Sequence, residues 1–406
     1  MATSLQTTLY ELSSAIHETI RAVFWQNIYA TKAIEQTLKQ HEEWKEDKRA
    51  VFSETVYDLI RWWRPLWYII ETVPNPEEKD LQKLITVYLF SKKGFLTALQ
   101  RKEGIDTTHL MQRIQTTKKS RALRESIPDW LDDVGEKELG NRWESLLASL
   151  NKKPQLVIRT NTLKTTPQRL QALLRKEKVT ADPIDGNPEA LLIKEKINVF
   201  RLSSFNAGLF EVQDAASQMV SRILNPQPGM RIIDACAGEG SKTLHLAALL
   251  KNKGKIIAMD TQDWKLRELR KRATKAGVNS IETRLITSTK TYKRMRGTAH
   301  RLLLDVPCSG LGTLRRNPDI RWKLTPADLD RLRTLQQELL EKYHTLLKPQ
   351  GMMAYSVCSI LPSEGEAQIQ RFLTNHPEYT LLEEQRTWPD TDETDGFYIA
   401  LLKRIS

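Results

Sequence analysis

Cysteine is nearly absent: the chain of 406 residues has three. Three thiols cannot build a disulfide framework, and none stands in a Cys-x-x-Cys spacing that would point to zinc. Long apolar runs are missing too. Nothing approaches the roughly 20 consecutive apolar residues that cross a bilayer. The N-terminus, "MATSLQTTLYELSSAIHETI", lacks the basic start and apolar core of a secretory signal. There is no internal repeat and no low-complexity segment. These absences give the expectation of a globular, cytoplasmic monomer without membrane partner or bound metal. Acidic residues are the last shortage. Against 62 Lys and Arg stand 50 Asp and Glu, a formal net charge of +12. A basic excess of this size points to an anionic partner, nucleic acid first.

What is present divides the chain in three. Residues 1–125 read as successive helices. Leu5, Leu9, Leu12, Ile16 and Ile20 recur at spacings of three and four, and Phe52, Val56, Leu59, Ile60 and Trp63 make a second stripe. Pro65 is expected to end that helix near Arg64 and open the next. Trp62, Trp63 and Trp67 read as core aromatics of a bundle. Between 92 and 124, Lys92, Lys93, Arg101, Lys102, Arg113, Lys118, Lys119, Arg121 and Arg124 stand against only Glu103 and Asp106, which reads either as a solvated helix face or as a phosphate-tracking surface. Residues 126–205 suggest a small α/β subdomain: a strand at 155–160, a helix opened by Thr166 and Pro167, then two short strands. From 206 to 406, "MRIIDAC", "KIIAMD", "RLLLDV" and "GMMAYSVC" alternate with amphipathic helices. Short buried runs between helices predict an α/β domain with a doubly wound, mostly parallel sheet.

In such sheets ligands lie beyond the carboxyl ends of the strands. The loop Cys236, Ala237, Gly238, Glu239, Gly240, Ser241 and Lys242 follows the strand ending at Asp234. Its glycines let a ligand approach the backbone. It is neither Gly-x-Gly-x-x-Gly nor a P-loop. Asp260 ends the next strand, placed to accept both ribose hydroxyls of a nucleoside cofactor. Asp305 ends a third. Cys308, just beyond Asp305, and Cys358, at the end of a fourth strand, then fall on the same edge, where reactive groups belong. Cys236 reads as packing within its loop. Lys242 reads either as a contact to cofactor or substrate phosphate or as a surface lysine. "RRNPDIRW" is expected to shape a substrate pocket. Arg315, Arg316 and Arg321 are expected to favour thiolate.

These motifs resemble a known family. "LFEVQDAASQMV" (209–220), "DACAGEGSKT" (234–243), "LLLDVPCSGLGTLRRNPDIRW" (302–322), "YSVCSILPSEGE" (355–366) and "DGFYIALLK" (395–403) are similar, in order, to RNA cytosine-5 methyltransferases of the Nop2/Sun/RsmB type, closest to the bacterial Sun (RsmB) branch. The resemblance implies a Rossmann-like methyltransferase domain, a NusB-like helical domain, S-adenosylmethionine as cofactor and RNA as partner, ribosomal RNA first. It makes Cys358 the nucleophile on carbon 6 of the base. It gives Cys308 a part in product release, with Asp305 holding the base edge. Two positions depart from the family. Glu239-Gly240-Ser241 replaces the usual Pro-Gly-Gly, which lets Glu239 pair with a cofactor ammonium or weakens cofactor binding. No acid stands at "LIT" to face an adenine. A transfer RNA substrate and a silent RNA-binding assembly factor are the competing readings.

Overall fold

The computed structural model describes residues 2–93 and 106–405, with side chains from residue 7 to residue 91 in the first stretch. The chain divides into two compact units: Met1–Lys152 with Leu314–Pro326, and Lys153–Thr313 with Ala327–Ser406.

The first unit is helical. Leu9, Leu12, Ile16 and Ile20 on helix Ala2–Phe24 are buried together with Phe52, Val56, Leu59 and Ile60 on helix Glu46–Arg61. The side chains of Leu5, Lys92 and Lys93, and all of Arg101 and Lys102, lie outside the described residues. The break expected near Arg64 falls earlier, at Trp62, and Pro65 sits inside the first turn of the next helix, Trp63–Ile69. That turn has no intrahelical use for its N–H, so proline is tolerated there. Trp63 and Trp67 are buried, with Trp63 stacked on Phe24 at 3.7 Å between ring centroids. Helices Asp129–Leu139 and Arg142–Leu150 carry the unit past the expected end at 125.

The second unit holds two sheets. The smaller is antiparallel, in the order β2-β3-β1-β4, from β1 (Leu156–Thr160), β2 (Ala181–Ile184), β3 (Asn187–Ile193) and β4 (Phe210–Val212). Helix Pro167–Lys176 covers it, opened by the Thr166 hydroxyl accepting Arg169 N–H with Pro167 in the first turn. β4 lies beyond the expected boundary at 205. It joins this sheet because its register pairs Phe210 with Thr160 and Val212 with Ile158.

The larger sheet has seven strands, in the order β10-β11-β9-β8-β5-β6-β7. Its members are β5 (Arg231–Asp234), β6 (Lys255–Asp260), β7 (Ile281–Leu285), β8 (Ala299–Asp305), β9 (Leu347–Val357), β10 (Tyr379–Thr387) and β11 (Phe397–Arg404). β5 to β9 run parallel, and β10 and β11 are antiparallel additions at one edge. The central strands are buried on both faces, Ile232, Ile233, Ile256, Ile257, Leu302, Leu303 and Leu304 being fully covered. This is the doubly wound layout anticipated from the alternating runs, and the Rossmann-like one that the resemblance implied. The chain steps from β5 one way to β6 and returns to the other side as β8, so the carboxyl ends of β6, β5, β8 and β9 border one crevice. Among the described residues no helix is long and apolar enough to cross a membrane.

Candidate active site

The four strand ends bring the expected residues together. After β5 the chain turns through Gly238 and Gly240, both at positive φ (+54° and +87°). A Cβ on Gly240 would come within 2.4 Å of the Leu269 side chain, so the loop packs tightly on helix Asp263–Ala276. A Cβ on Gly238 would meet nothing within 4 Å. The open space therefore lies at Gly238, beside Asp260. The Asp260 carboxylate is fixed by two backbone donors, Gly238 N at 2.9 Å and Gln262 N at 2.8 Å, and remains partly exposed. Arg272 holds the loop from outside through the Glu239 carbonyl (2.9 Å), leaving the Glu239 side chain exposed.

Behind the loop, Asp234 is buried. One oxygen accepts the Thr243 hydroxyl at 2.6 Å, and the other has no hydrogen-bond partner. Burial pushes this carboxyl up to about 7. Cys236 is half-buried, and burial raises its thiol, which fits packing and argues against reactivity.

Lys242 is not a surface lysine. Its Nζ lies 2.7 Å from Asp305 Oδ2 and 5.1 Å from the centroid of the Phe397 ring. Burial would lower this ammonium, but the neighbouring Asp305 carboxylate outweighs it and holds the group above the usual lysine value. The second Asp305 oxygen accepts the Ser356 hydroxyl at 2.7 Å. Asp305 is thus aimed by one cation and one hydroxyl, with part of its carboxylate open.

Cys308 Sγ and Cys358 Sγ stand 3.4 Å apart. The hydrogen bond to Cys358, then burial, raise the Cys308 thiol well above its ordinary value. Either sulfur of the pair can act as the donor. The expected help from Arg315 and Arg321 is not there. Arg315 Nε donates to Ser149 O at 3.1 Å, and Arg321 Nη1 donates to Glu125 O, Ser126 O and Asn151 Oδ1 at 3.1, 3.0 and 2.9 Å. Trp322 Nε1 donates to Ile60 O at 2.8 Å. "RRNPDIRW" is built into the helical unit, because the chain leaves the thiol loop after Thr313 and its buried guanidiniums find backbone carbonyls there.

Sequence reasoning missed Glu364. This fully buried acid stands in the motif "YSVCSILPSEGE" and receives hydrogen bonds from both loops that carry Cys308 and Cys358. An acid just after a strand end was the available signal.

The chain is similar to proteins already described. Residues 221–403 match the family model for 16S rRNA methyltransferase RsmB/F, and residues 127–200 match the ferredoxin-like domain of RsmF/B-like methyltransferases. It is 32% identical to a probable ribosomal RNA small subunit methyltransferase B of Synechocystis, over 95% of this chain and 97% of that one. A ribosomal RNA small subunit methyltransferase B of Proteus mirabilis is 31% identical over 77% of this chain and 72% of its own length. Among solved structures, that of PH0851 superposes with a TM-score of 0.81 at 28% identity, covering 96% of this chain and 97% of that one. A methyltransferase homolog protein from Pyrococcus horikoshii gives 0.63 at 29% identity, over 70% of this chain and 98% of its own.

Proposed function

The chain belongs to the RsmB/F family of 16S rRNA methyltransferases, and we propose that it methylates carbon 5 of a cytosine in small-subunit ribosomal RNA through a covalent adduct with Cys358. The observation that carries the reading is the pair of thiols 3.4 Å apart, next to a carboxylate that Lys242 and Ser356 hold in place.

S-adenosylmethionine fits the residues at the neighbouring strand ends. Gly238 leaves open space beside an Asp260 carboxylate that backbone N–H groups have already oriented, so ribose hydroxyls can donate to its remaining lone pairs. When bound, the cofactor supplies an electrophilic methyl group. Everything else falls to the side chains. Carbon 5 of cytosine is a poor nucleophile. Addition of the Cys358 thiolate to carbon 6 turns the ring into an enamine whose carbon 5 can attack. Cys308 Sγ is in hydrogen-bond contact with Cys358 Sγ, beside the attacking group. Asp305 accepts from the amino edge of the base, and Lys242 keeps that carboxylate aimed. After methyl transfer, a base takes the carbon 5 proton, the electron pair of that C–H bond reforms the ring double bond, and the Cys358 sulfur leaves carbon 6 as thiolate. Cys308 is within reach of that step. The target base must be unpaired or flipped to enter.

The test uses two variants with opposite outcomes. Cys358→Ala should neither methylate nor become linked to RNA. Cys308→Ala should attack and methylate but fail to release, leaving an RNA-linked protein that survives denaturing electrophoresis and needs S-adenosylmethionine to form. A shifted band from Cys358→Ala and none from Cys308→Ala would reverse the assignment. Full turnover in both would remove the covalent route.

A further inference from the structure

The two thiols lie where the sheet has stopped holding the chain. The β8–β9 ladder ends at the pair Asp305 and Ser356, the β9–β11 ladder ends at Val357, and both cysteines come after these residues. Beyond that point, Val306 N donates to Ser356 O (3.1 Å) and Gly312 N to Cys358 O (3.0 Å). The loops nevertheless present their sulfurs at van der Waals contact.

Each cysteine is followed by a serine, and the two serines are used alike. Ser309 Oγ accepts Leu311 N (3.4 Å) and Ser359 Oγ accepts Leu361 N (3.1 Å), a local turn in each loop. Both hydroxyls then donate to one oxygen, Oε2 of Glu364, at 2.5 Å each. The other oxygen, Oε1, accepts Ser309 N at 2.8 Å and Gln336 Nε2 at 2.9 Å. The same Gln336 amide reaches Pro307 O at 3.1 Å. Glu364 itself is pinned in a short 3-10 turn, Pro362–Glu364, where its backbone oxygen accepts the buried Tyr355 hydroxyl at 2.7 Å. Its side chain is wholly shielded from water. A carboxylate so buried is costly unless fully hydrogen-bonded, and here four donors satisfy it.

We infer that Glu364 is a positioning residue whose carboxylate clasps Ser309 and Ser359 and thereby holds Cys308 and Cys358 against each other. The inference deepens the proposed function, on which its catalytic meaning rests, but the clasp is a property of the protein alone. Removing the carboxylate unties both loops at once and leaves two hydroxyls and a backbone N–H without their acceptor. The negative charge fixed behind Cys308 also helps keep that thiol protonated.

Phenylarsine oxide reads the clasp directly. Its arsenic(III) takes both sulfurs of a pair already in contact. Two As–S bonds form, and the oxide oxygen leaves as water with the two thiol protons, without oxidation or reduction. The full chain should bind it through Cys308 and Cys358, and Cys308→Ala or Cys358→Ala should drop to the affinity of a single thiol. Glu364→Ala should lose about tenfold or more, since a small displacement of two positioned groups costs roughly one to two orders of magnitude. Ser309→Ala with Ser359→Ala should lose a similar factor, and it decides the matter if Glu364→Ala does not fold. Leu340→Ala, a core truncation under the same sheet, should lower the melting temperature and leave arsenical affinity unchanged. Wild-type affinity in folded Glu364→Ala, or in the double serine variant, overturns the inference. A wild-type protein that chelates through both cysteines but methylates no RNA would sink the proposed function and leave the clasp standing.

Discussion

Asp234 shows how one buried group sets a pH dependence. Water is excluded, one oxygen is unpartnered, and the carboxyl is pushed up to about 7. Below about pH 4 the folded and unfolded chains both hold this proton. As pH rises, the unfolded chain releases it first, and the folded chain keeps it until about 7. Over that window the unfolded state binds fewer protons, so stability falls with rising pH by up to about 1.4 kcal/mol per unit. Asp234→Asn retains an acceptor for the Thr243 hydroxyl and cannot ionise. Its stability advantage over wild type in denaturant titrations should therefore grow between about pH 4 and 7 and level off above. An advantage that stays flat over that range means Asp234 is ionised throughout.

The segment Leu314–Pro326 carries the same logic to the scale of an element. It follows the Cys308 loop directly, yet its buried groups serve the helical unit: Asp319 Oδ2 accepts Ala30 N at 2.9 Å, and Lys323 Nζ donates to Val23 O at 2.8 Å. Arg321 is the most committed, with three acceptors on one buried nitrogen. Arg321→Ala takes this donor from Ser126 O and Asn151 Oδ1 and opens a void. It should destabilise the protein by at least about 3 kcal/mol, read as an earlier urea transition in tryptophan fluorescence. Arg321→Met restores volume but no donors, so it should recover only part of the loss. An unchanged transition with lost RNA methylation would return the segment to the substrate pocket.

At the scale of the whole molecule, the net charge of +12 overstates what is offered to RNA. In the described part of the expected phosphate-tracking stretch, Arg113 pairs with Glu71, Arg121 with Asp132 and Glu136, and Arg124 with Glu125 and Glu144. All of these acids lie outside the 92–124 window, so the local charge balance did not contain them. Lys118 and Lys119 are exposed. RNA affinity should fall steeply with salt. Lys118→Gln with Lys119→Gln should flatten the log–log slope by about one unit for each phosphate the protein no longer neutralises. Arg121→Gln should leave the slope unchanged, since its guanidinium is already paired. Equal effects from both sets would mean that the ion pairs open on binding.

The sequence by itself determined the strand-loop-helix units of the larger sheet and the residues at their ends. Apolar runs that stop at Asp234, Asp260, Asp305 and Cys358 are local patterns, and a strand buried on both faces must be written as such a run. The helical stripes were legible for the same reason, their period being contained in a short window. Only the tertiary structure decided that β8 lies between β5 and β9, and so that Cys308 meets Cys358. It also decided that β4 completes the smaller sheet, that "RRNPDIRW" turns to the helices, and that Glu364 reaches both thiol loops. Each of these rests on residues far apart in the chain. The energy comes from burial and hydrogen bonding with partners that no local window contains.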